Sequence, residues 1–211
     1  MGCGRSPESI KLVAVSKTIG ADRVGEAIDA GVCILGENYI QEARDKFNAL
    51  SDKPAHWHFI GHLQSNKAKY AVRMFDLIHS VDSIKLAKAL DKEARKNGKV
   101  QNILVQVNIS REETKTGIDE SDAVDLITRI AELDHIRVLG LMTMPPFFNE
   151  PENARPFFRQ LALLKKRIEF QKIADIRMDE LSMGMTGDFE VAIEEGATLV
   201  RIGTAIFGAR K

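Results

Sequence analysis

Lys17 is the residue of this chain best placed to do chemistry. It closes the first apolar run, Lys11-Leu12-Val13-Ala14-Val15-Ser16-Lys17-Thr18. Far downstream stand Leu181-Ser182-Met183-Gly184-Met185-Thr186-Gly187-Asp188 and Val200-Arg201-Ile202-Gly203-Thr204-Ala205-Ile206-Phe207-Gly208. A primary amine attacks an aldehyde once it has lost its proton, and enclosure by apolar strands favours that loss. The glycines and hydroxyls of the later phrases free main-chain amides to converge on an anion such as phosphate.

Taken singly, each feature has a plainer reading. A lysine at a strand end ordinarily snorkels to solvent, and glycines after strands ordinarily make turns. The conjunction is what points to one site. A ligand with an aldehyde for the lysine and a phosphate for the amides satisfies both, and pyridoxal 5′-phosphate (PLP) has both groups. Arg201 is a permanent cation that could equally serve a structural ion pair. Facing a pyridine nitrogen, it would instead disfavour ring protonation and leave a weak electron sink. His56, His58 and His62 resemble metal ligands at first sight. No cysteine or carboxylate stands at a recognisable ligand spacing, so no metal site is expected. His56 and His58 read as packed or hydrogen-bonded strand residues, and His62 as a loop residue able to line a pocket.

These residues need a frame that brings distant strand ends together. Apolar runs at 12–16, 32–36, 56–60, 77–81, 103–108, 138–143, 179–182 and 198–202 read as eight strands. Helical runs at 21–30, 40–50, 66–74, 84–96, 121–133, 151–171 and 189–195 fall between them. In the fourth, Leu86, Leu90 and Ala94 recur every four residues, while Lys85, Lys88 and Lys92 take the outer face. The strands lack clean alternation, as expected when both faces are covered. Eight strands alternating with helices predict a single α/β domain over 1–211, a (β/α)8 barrel of the TIM type. Such a barrel works at the C-terminal ends of its strands. That rim would gather Lys17, Asn38, Met142, Ser182, Met183, Arg201, Gly203 and Thr204. Pro145-Pro146-Phe147-Phe148-Asn149 reads as a loop at the same rim, and Phe157, Phe158, Leu161, Leu164 and Ile168 as the buried face of one helix.

Bulk properties exclude other classes. Lysine plus arginine and aspartate plus glutamate are 30 each, so no excess positive charge calls for nucleic acid or a membrane surface. Hydrophobic residues make up 44%, enough for a core. Cys3 and Cys33 are the only cysteines and make no disulfide framework, so a reducing, cytoplasmic setting is the default. No apolar run reaches the roughly 20 residues needed to span a bilayer. Met1-Gly2-Cys3-Gly4-Arg5-Ser6 matches the short pattern for N-myristoylation but also suits a processed or engineered start. No exposed apolar stripe demands a partner, and a monomer is expected.

With these residues in view, the chain resembles the pyridoxal phosphate homeostasis (YggS/PROSC) family along nearly its whole length. The phrases that carry the resemblance include Val13-Ala14-Val15-Ser16-Lys17-Thr18, Gly36-Glu37-Asn38-Tyr39-Ile40-Gln41-Glu42 and Trp57-His58-Phe59-Ile60-Gly61-His62-Leu63-Gln64-Ser65-Asn66-Lys67. Gly140-Leu141-Met142-Thr143-Met144, Leu181-Ser182-Met183-Gly184-Met185 and Arg201-Ile202-Gly203-Thr204-Ala205-Ile206-Phe207-Gly208 complete the set, in order. The resemblance implies a barrel like the N-terminal domain of bacterial alanine racemase. It implies PLP held as an internal aldimine on Lys17, Asn38 near the ring, Arg201 at the pyridine nitrogen, and the phosphate around Ser182, Gly203 and Thr204. Met142 and Met183 complete the expected cofactor contacts. Members are regarded as carriers or regulators of PLP, with PLP-dependent enzymes as recipients, and no catalytic residue is assigned. The family usually carries a helix before the first strand, whereas here only about ten residues precede Leu12.

Two other readings compete. A PLP-dependent amino-acid racemase needs an opposing acid/base tyrosine from a second β domain. The chain ends three residues after Gly208, and Tyr39 and Tyr70 are its only tyrosines. A Schiff-base aldolase on the same barrel needs no cofactor, so a yellow protein would tell against it.

Overall fold

The computed structural model describes residues 3–110, 112 and 116–208. Met1 and Gly2 of the myristoylation pattern lie outside them. The strands are β1 (Lys11–Val15), β2 (Ile34–Glu37), β3 (His56–Phe59), β4 (Leu77–Val81), β5 (Gln101–Asn108), β6 (Ile118–Asp119), β7 (Ile136–Met142), β8 (Glu180–Met185) and β9 (Leu199–Ile202). The helices are α1 (Ala21–Asp29), α2 (Ile40–Ala49), α3 (Ala68–Met74), α4 (Ile84–Lys96), α5 (Ala123–Ala131), α6 (Arg155–Phe170), α7 (Phe189–Glu194) and α8 (Thr204–Phe207).

Eight of the strands close into an all-parallel barrel in the order β1-β2-β3-β4-β5-β7-β8-β9, with β9 returning to β1. All eight expected strands are present within a few residues of their expected bounds. The two-residue β6, which pairs with the end of β5, and the four-residue α8 were not anticipated. Both are too short to leave a periodic signal. Helices α3 and α6 start later than their apolar patterns, because a 3-10 turn precedes each (Ser65–Lys67 and Pro151–Ala154).

Alternation along the strands sorts side chains into two layers. Val13, Leu77, Leu104, Met142 and Leu199 form their own buried cluster inside the barrel. Leu35, Phe59, Ile103, Leu141, Leu181 and Met183 belong to the larger cluster between strands and helices. Helix α4 shows how the outer layer is built. Ser83 caps it by accepting the Leu86 amide at 3.3 Å, and Leu86, Ala87, Leu90 and Ala94 are its buried face. On α6, Phe158, Leu161, Leu164 and Ile168 do the same, while Phe157 stacks on Phe148 of the 145–149 loop at 5.7 Å.

One ionic cluster lies inside the layer between β1, β2 and α2. Lys46 Nζ donates to Glu37 Oε1 at 2.7 Å, to Glu42 Oε1 at 2.7 Å and to the Ser16 carbonyl at 2.5 Å. Ser16 Oγ donates to the same Glu37 oxygen at 2.6 Å. The Lys46 and Glu37 side chains are 5% and 0% exposed, so neither charge is solvated by water.

Candidate functional site

Lys17 sits at a bend, not within a strand. The Ile19 amide donates to the Ser16 carbonyl at 3.0 Å, closing a turn over Lys17 and Thr18. Thr18 has φ of 64°, a left-handed conformation that a β-branched residue adopts only under strain. Its amide is held by the Glu42 carboxylate. Lys46 pins the Ser16 carbonyl at the other end. Helix α2 thus fixes the turn that presents Lys17 at the rim.

The β1–β9 register pairs Ala14 with Ile202, so the residues after each strand emerge side by side. Together with the turn after β8 they enclose a cleft of about 450 Å³, within the range of small-molecule sites. Lys17, Asn38, Arg201, Gly203 and Thr204 line it, so five of the eight expected residues meet there. Thr186 and Gly187 form the facing turn, with Thr186 Oγ1 accepting the Gly203 amide at 3.4 Å. Gly184, in β8 just before that turn, has φ of 89°, and a Cβ there would lie 2.5 Å from the Ala192 Cβ, so only glycine fits. Met144, Phe147 and Phe148 supply an apolar wall from the 145–149 loop.

The other three expected contacts, Met142, Met183 and Ser182, lie outside the lining of this cleft. Met142 is fully buried in the cluster inside the barrel, below the cleft. Met183 points outward into the strand–helix core. Ser182 is fully buried, and its hydroxyl is engaged by Arg201 and His79.

Ser182 belongs to a buried polar chain that holds Arg201. Arg201 Nη1 donates to Ser182 Oγ at 2.6 Å and Nη2 to the Thr143 carbonyl at 2.9 Å. Ser182 Oγ lies 2.9 Å from His79 Nδ1, and His79 Nε2 lies 3.0 Å from His58 Nδ1. A guanidinium only donates. The arrangement that uses every proton has the serine hydroxyl donating to His79 Nδ1, and His79 Nε2–H donating to His58. Both imidazoles are neutral in that arrangement. Burial drives the His79 pKa well below its ordinary value and that of His58 to about 3, with the charges of neighbouring groups adding to the effect. Burial also lowers Arg201 to about 10, which leaves it a cation at neutral pH, and the Asp188 charge opposes that drop. His56 is exposed beside Asp76, and His62 is an exposed rim residue. Among the described residues no three histidine, cysteine or acidic side chains converge as a metal site would require.

Two groups at the cleft belong to the phrase from Leu181 to Asp188 but had no role of their own in the sequence reading. Asp188 lines it with a carboxyl pushed up by desolvation, while its Oδ1 accepts the Met185 amide at 2.6 Å. Thr186 is the other. Both follow Gly184 in a strand-to-helix turn, and that position is the signal that could have found them.

The frame is thus a parallel (β/α)8 barrel with a lysine after its first strand and an arginine in its last. The family described as alanine racemase, N-terminal domain, matches residues 4–211. The alanine racemase of Clostridium difficile 630, in complex with cycloserine, superimposes with a TM-score of 0.74 at 16% identity over 97% of this chain and 56% of that one, a likeness of fold alone. The "Pyridoxal phosphate homeostasis protein" of Aquifex aeolicus (strain VF5) is 47% identical over 208 residues, 99% of this chain and 90% of that protein. PipY of Synechococcus elongatus PCC7942, solved with PLP bound, has a TM-score of 0.89 at 37% identity over 97% of this chain and 95% of that one. The chain belongs to the pyridoxal phosphate homeostasis protein family.

Proposed function

We propose that this chain holds PLP in the cleft, covalently through Lys17, and serves PLP homeostasis as a carrier and not as a catalyst. The observation that carries the reading is the convergence of an amine, a fixed guanidinium and the Gly203–Thr204 turn on one cleft. The names of the relatives and the PLP-bound PipY support it. The fit of the residues is chemical: Asn38 Oδ1 is buried with no hydrogen-bond partner among the described residues, an acceptor still open to a ligand donor.

When bound, the cofactor supplies an aldehyde for the lysine and a pyridine ring that can accept electrons. Lys17 contributes the amine, at the turn fixed by Lys46 and Glu42. Arg201, locked by Ser182 and Thr143, would face the ring nitrogen as a cation that only donates hydrogen bonds. The Gly203–Thr204 turn, facing the Thr186–Gly187 turn, would seat the phosphate. Pyridoxal without its phosphate is therefore expected to bind at least ~100-fold more weakly, because two or more charge-assisted hydrogen bonds worth about 1.5–3 kcal/mol each are lost. Equal affinities in a fluorescence titration would rule out that seat.

Negligible turnover with amino acids is expected. Arg201 keeps the ring a weak sink, and no tyrosine lines the cleft among the described residues, since Tyr39 and Tyr70 face a neighbouring chamber. A missing general acid or base removes a factor of about 10²–10⁴. Chiral chromatography after incubating the holo-protein with L-alanine tests this. Racemisation at roughly 1 s⁻¹ or more, lost in Lys17→Ala, would restore the racemase reading. No described helix is long and apolar enough to cross a membrane. A cytoplasmic monomer that passes PLP to PLP-dependent enzymes completes the proposal.

A further inference from the structure

A second chamber, of about 590 Å³, opens on the same rim beside the cleft. The turn after β3 and the starts of α2 and α3 build it, from the Trp57–Lys67 phrase that the Lys17 site leaves largely unused. Phe59 and Leu63, 1% and 3% exposed, form its floor. Gly61 is pressed so closely on the Asn38 main chain that a Cβ would lie 2.3 Å from its carbonyl oxygen. Asn38 lines both cavities, so the chamber and the Lys17 cleft share a wall.

The chamber's chemistry is one-sided. Arg44, Lys67 and His62 line it, and no lining residue is acidic, although the chain as a whole is electrically balanced. Among the described residues Arg44 pairs only with the exposed Asp45, at 3.6 Å, a pairing of little worth in water. Lys67 has no carboxylate partner among the described residues, and its Nζ stands 5.9 Å from the centre of the Tyr70 ring. The first turn of α2 also points here, and its cap residue Tyr39 makes no side-chain cap. Tyr39 and Tyr70 provide aromatic walls, Tyr39 being 59% exposed. The Tyr70 hydroxyl is lowered by its hydrogen bond with Lys69 first, and then by the charges of Lys69, Lys67 and Arg44. A guanidinium and an ammonium lining one chamber with two phenol rings suit a doubly charged phosphate ester on a small flat ring.

We propose that this chamber is a second, non-covalent site for a phosphorylated pyridine, a further molecule of the B6 class waiting beside the Lys17 cleft. The proposal rests on the PLP reading for the identity of the ring. The shared Asn38 wall makes the chamber a docking place next to the covalent site. Neither Arg44 nor Lys67 carries an aldehyde-directed role, because a docked molecule is held here by its phosphate.

Pyridoxine 5′-phosphate is the probe, since it has the ring and the phosphate but no aldehyde. The holo-protein is first reduced with borohydride, which fixes the covalent site, and is then titrated with the probe by calorimetry. One further equivalent is expected to bind, more tightly than inorganic phosphate and with an affinity that falls as salt rises. Arg44→Ala and Lys67→Ala each remove an exposed side chain and should fold normally. Each is expected to weaken the probe at least ~10-fold, the loss of one charge-assisted contact. No saturable binding at millimolar probe, equal affinity in both variants and the parent, or binding no tighter than that of inorganic phosphate would overturn the proposal. Peptide mapping of the reduced protein reads the Lys17 assignment separately. Were the tag absent from Lys17, the same titration on unreduced protein would still decide the chamber: one equivalent sensitive to Arg44 and Lys67 supports it, and none sinks it.

Discussion

Lys17→Ala is expected to abolish covalent retention of PLP and to lower overall affinity by at least ~100-fold, the equivalent of about 2.7 kcal/mol. The remaining contacts, Arg201 and the Gly203–Thr204 turn, still bind an anion with a ring, so weak and reversible binding survives. Lys17→Arg should behave like the alanine variant, because a guanidinium keeps its proton and cannot attack an aldehyde. That pair separates loss of the amine from loss of a positive charge. Lys17 is only partly buried at a surface turn, so neither change should unfold the barrel. Dialysis of loaded protein followed by absorbance reads the outcome. Retention by Lys17→Ala equal to the parent's would place the covalent link on another residue.

Lys46→Met is expected to destabilise the fold by about 3–5 kcal/mol, because it strands a carboxylate that water cannot reach. Total stabilities of about 5–15 kcal/mol make that a large fraction. Glu37 Oε2 already lacks a hydrogen-bond partner among the described residues. Its carboxyl is held above the ordinary 4.5 by desolvation, and hydrogen bonds from Lys46 and Ser16 pull it partly back. The folded state therefore binds this proton more tightly than the unfolded chain does. Its contribution is fully present below the unfolded pKa and is lost as pH rises through the folded one. Without Lys46 the folded pKa climbs further and that window widens upward. Urea unfolding should thus show Lys46→Met losing much more stability at neutral pH than near pH 4.5. A loss that is small, or independent of pH, would mean that Glu37 finds another partner. The same variant frees the Ser16 carbonyl beside Lys17, so slower covalent loading is expected to accompany the loss.

The barrel was legible because each of its eight strands is a short apolar run with a helix between it and the next. The rim followed from that count, since a parallel barrel puts all C-terminal strand ends on one side. Lys17, Asn38, Arg201, Gly203 and Thr204 could be gathered in this way. Depth and face were harder to read. Ser182 and Met183 are neighbours on β8, and adjacent strand residues point to opposite sides, so one side chain had to turn away from the barrel interior. Met142 shares a buried cluster inside the barrel with Val13 and Leu104, a depth that strand patterning does not show. The role of Ser182 as the anchor of Arg201 depended on His79, a residue that sequence spacing gave no reason to link with it. The Glu37–Lys46 pair was hidden for a related reason. A lysine on an amphipathic helix reads as solvated, and only the docking of α2 over β1 and β2 shows that it is not.

The most direct test is to load the protein with PLP, reduce it with borohydride and map the pyridoxyl group by peptide mass spectrometry. A single modification on Lys17, absent when the reduction is repeated on Lys17→Ala, is the result expected. A modification on Lys67 or any other lysine with Lys17 unmodified would contradict the assignment on which the site is built.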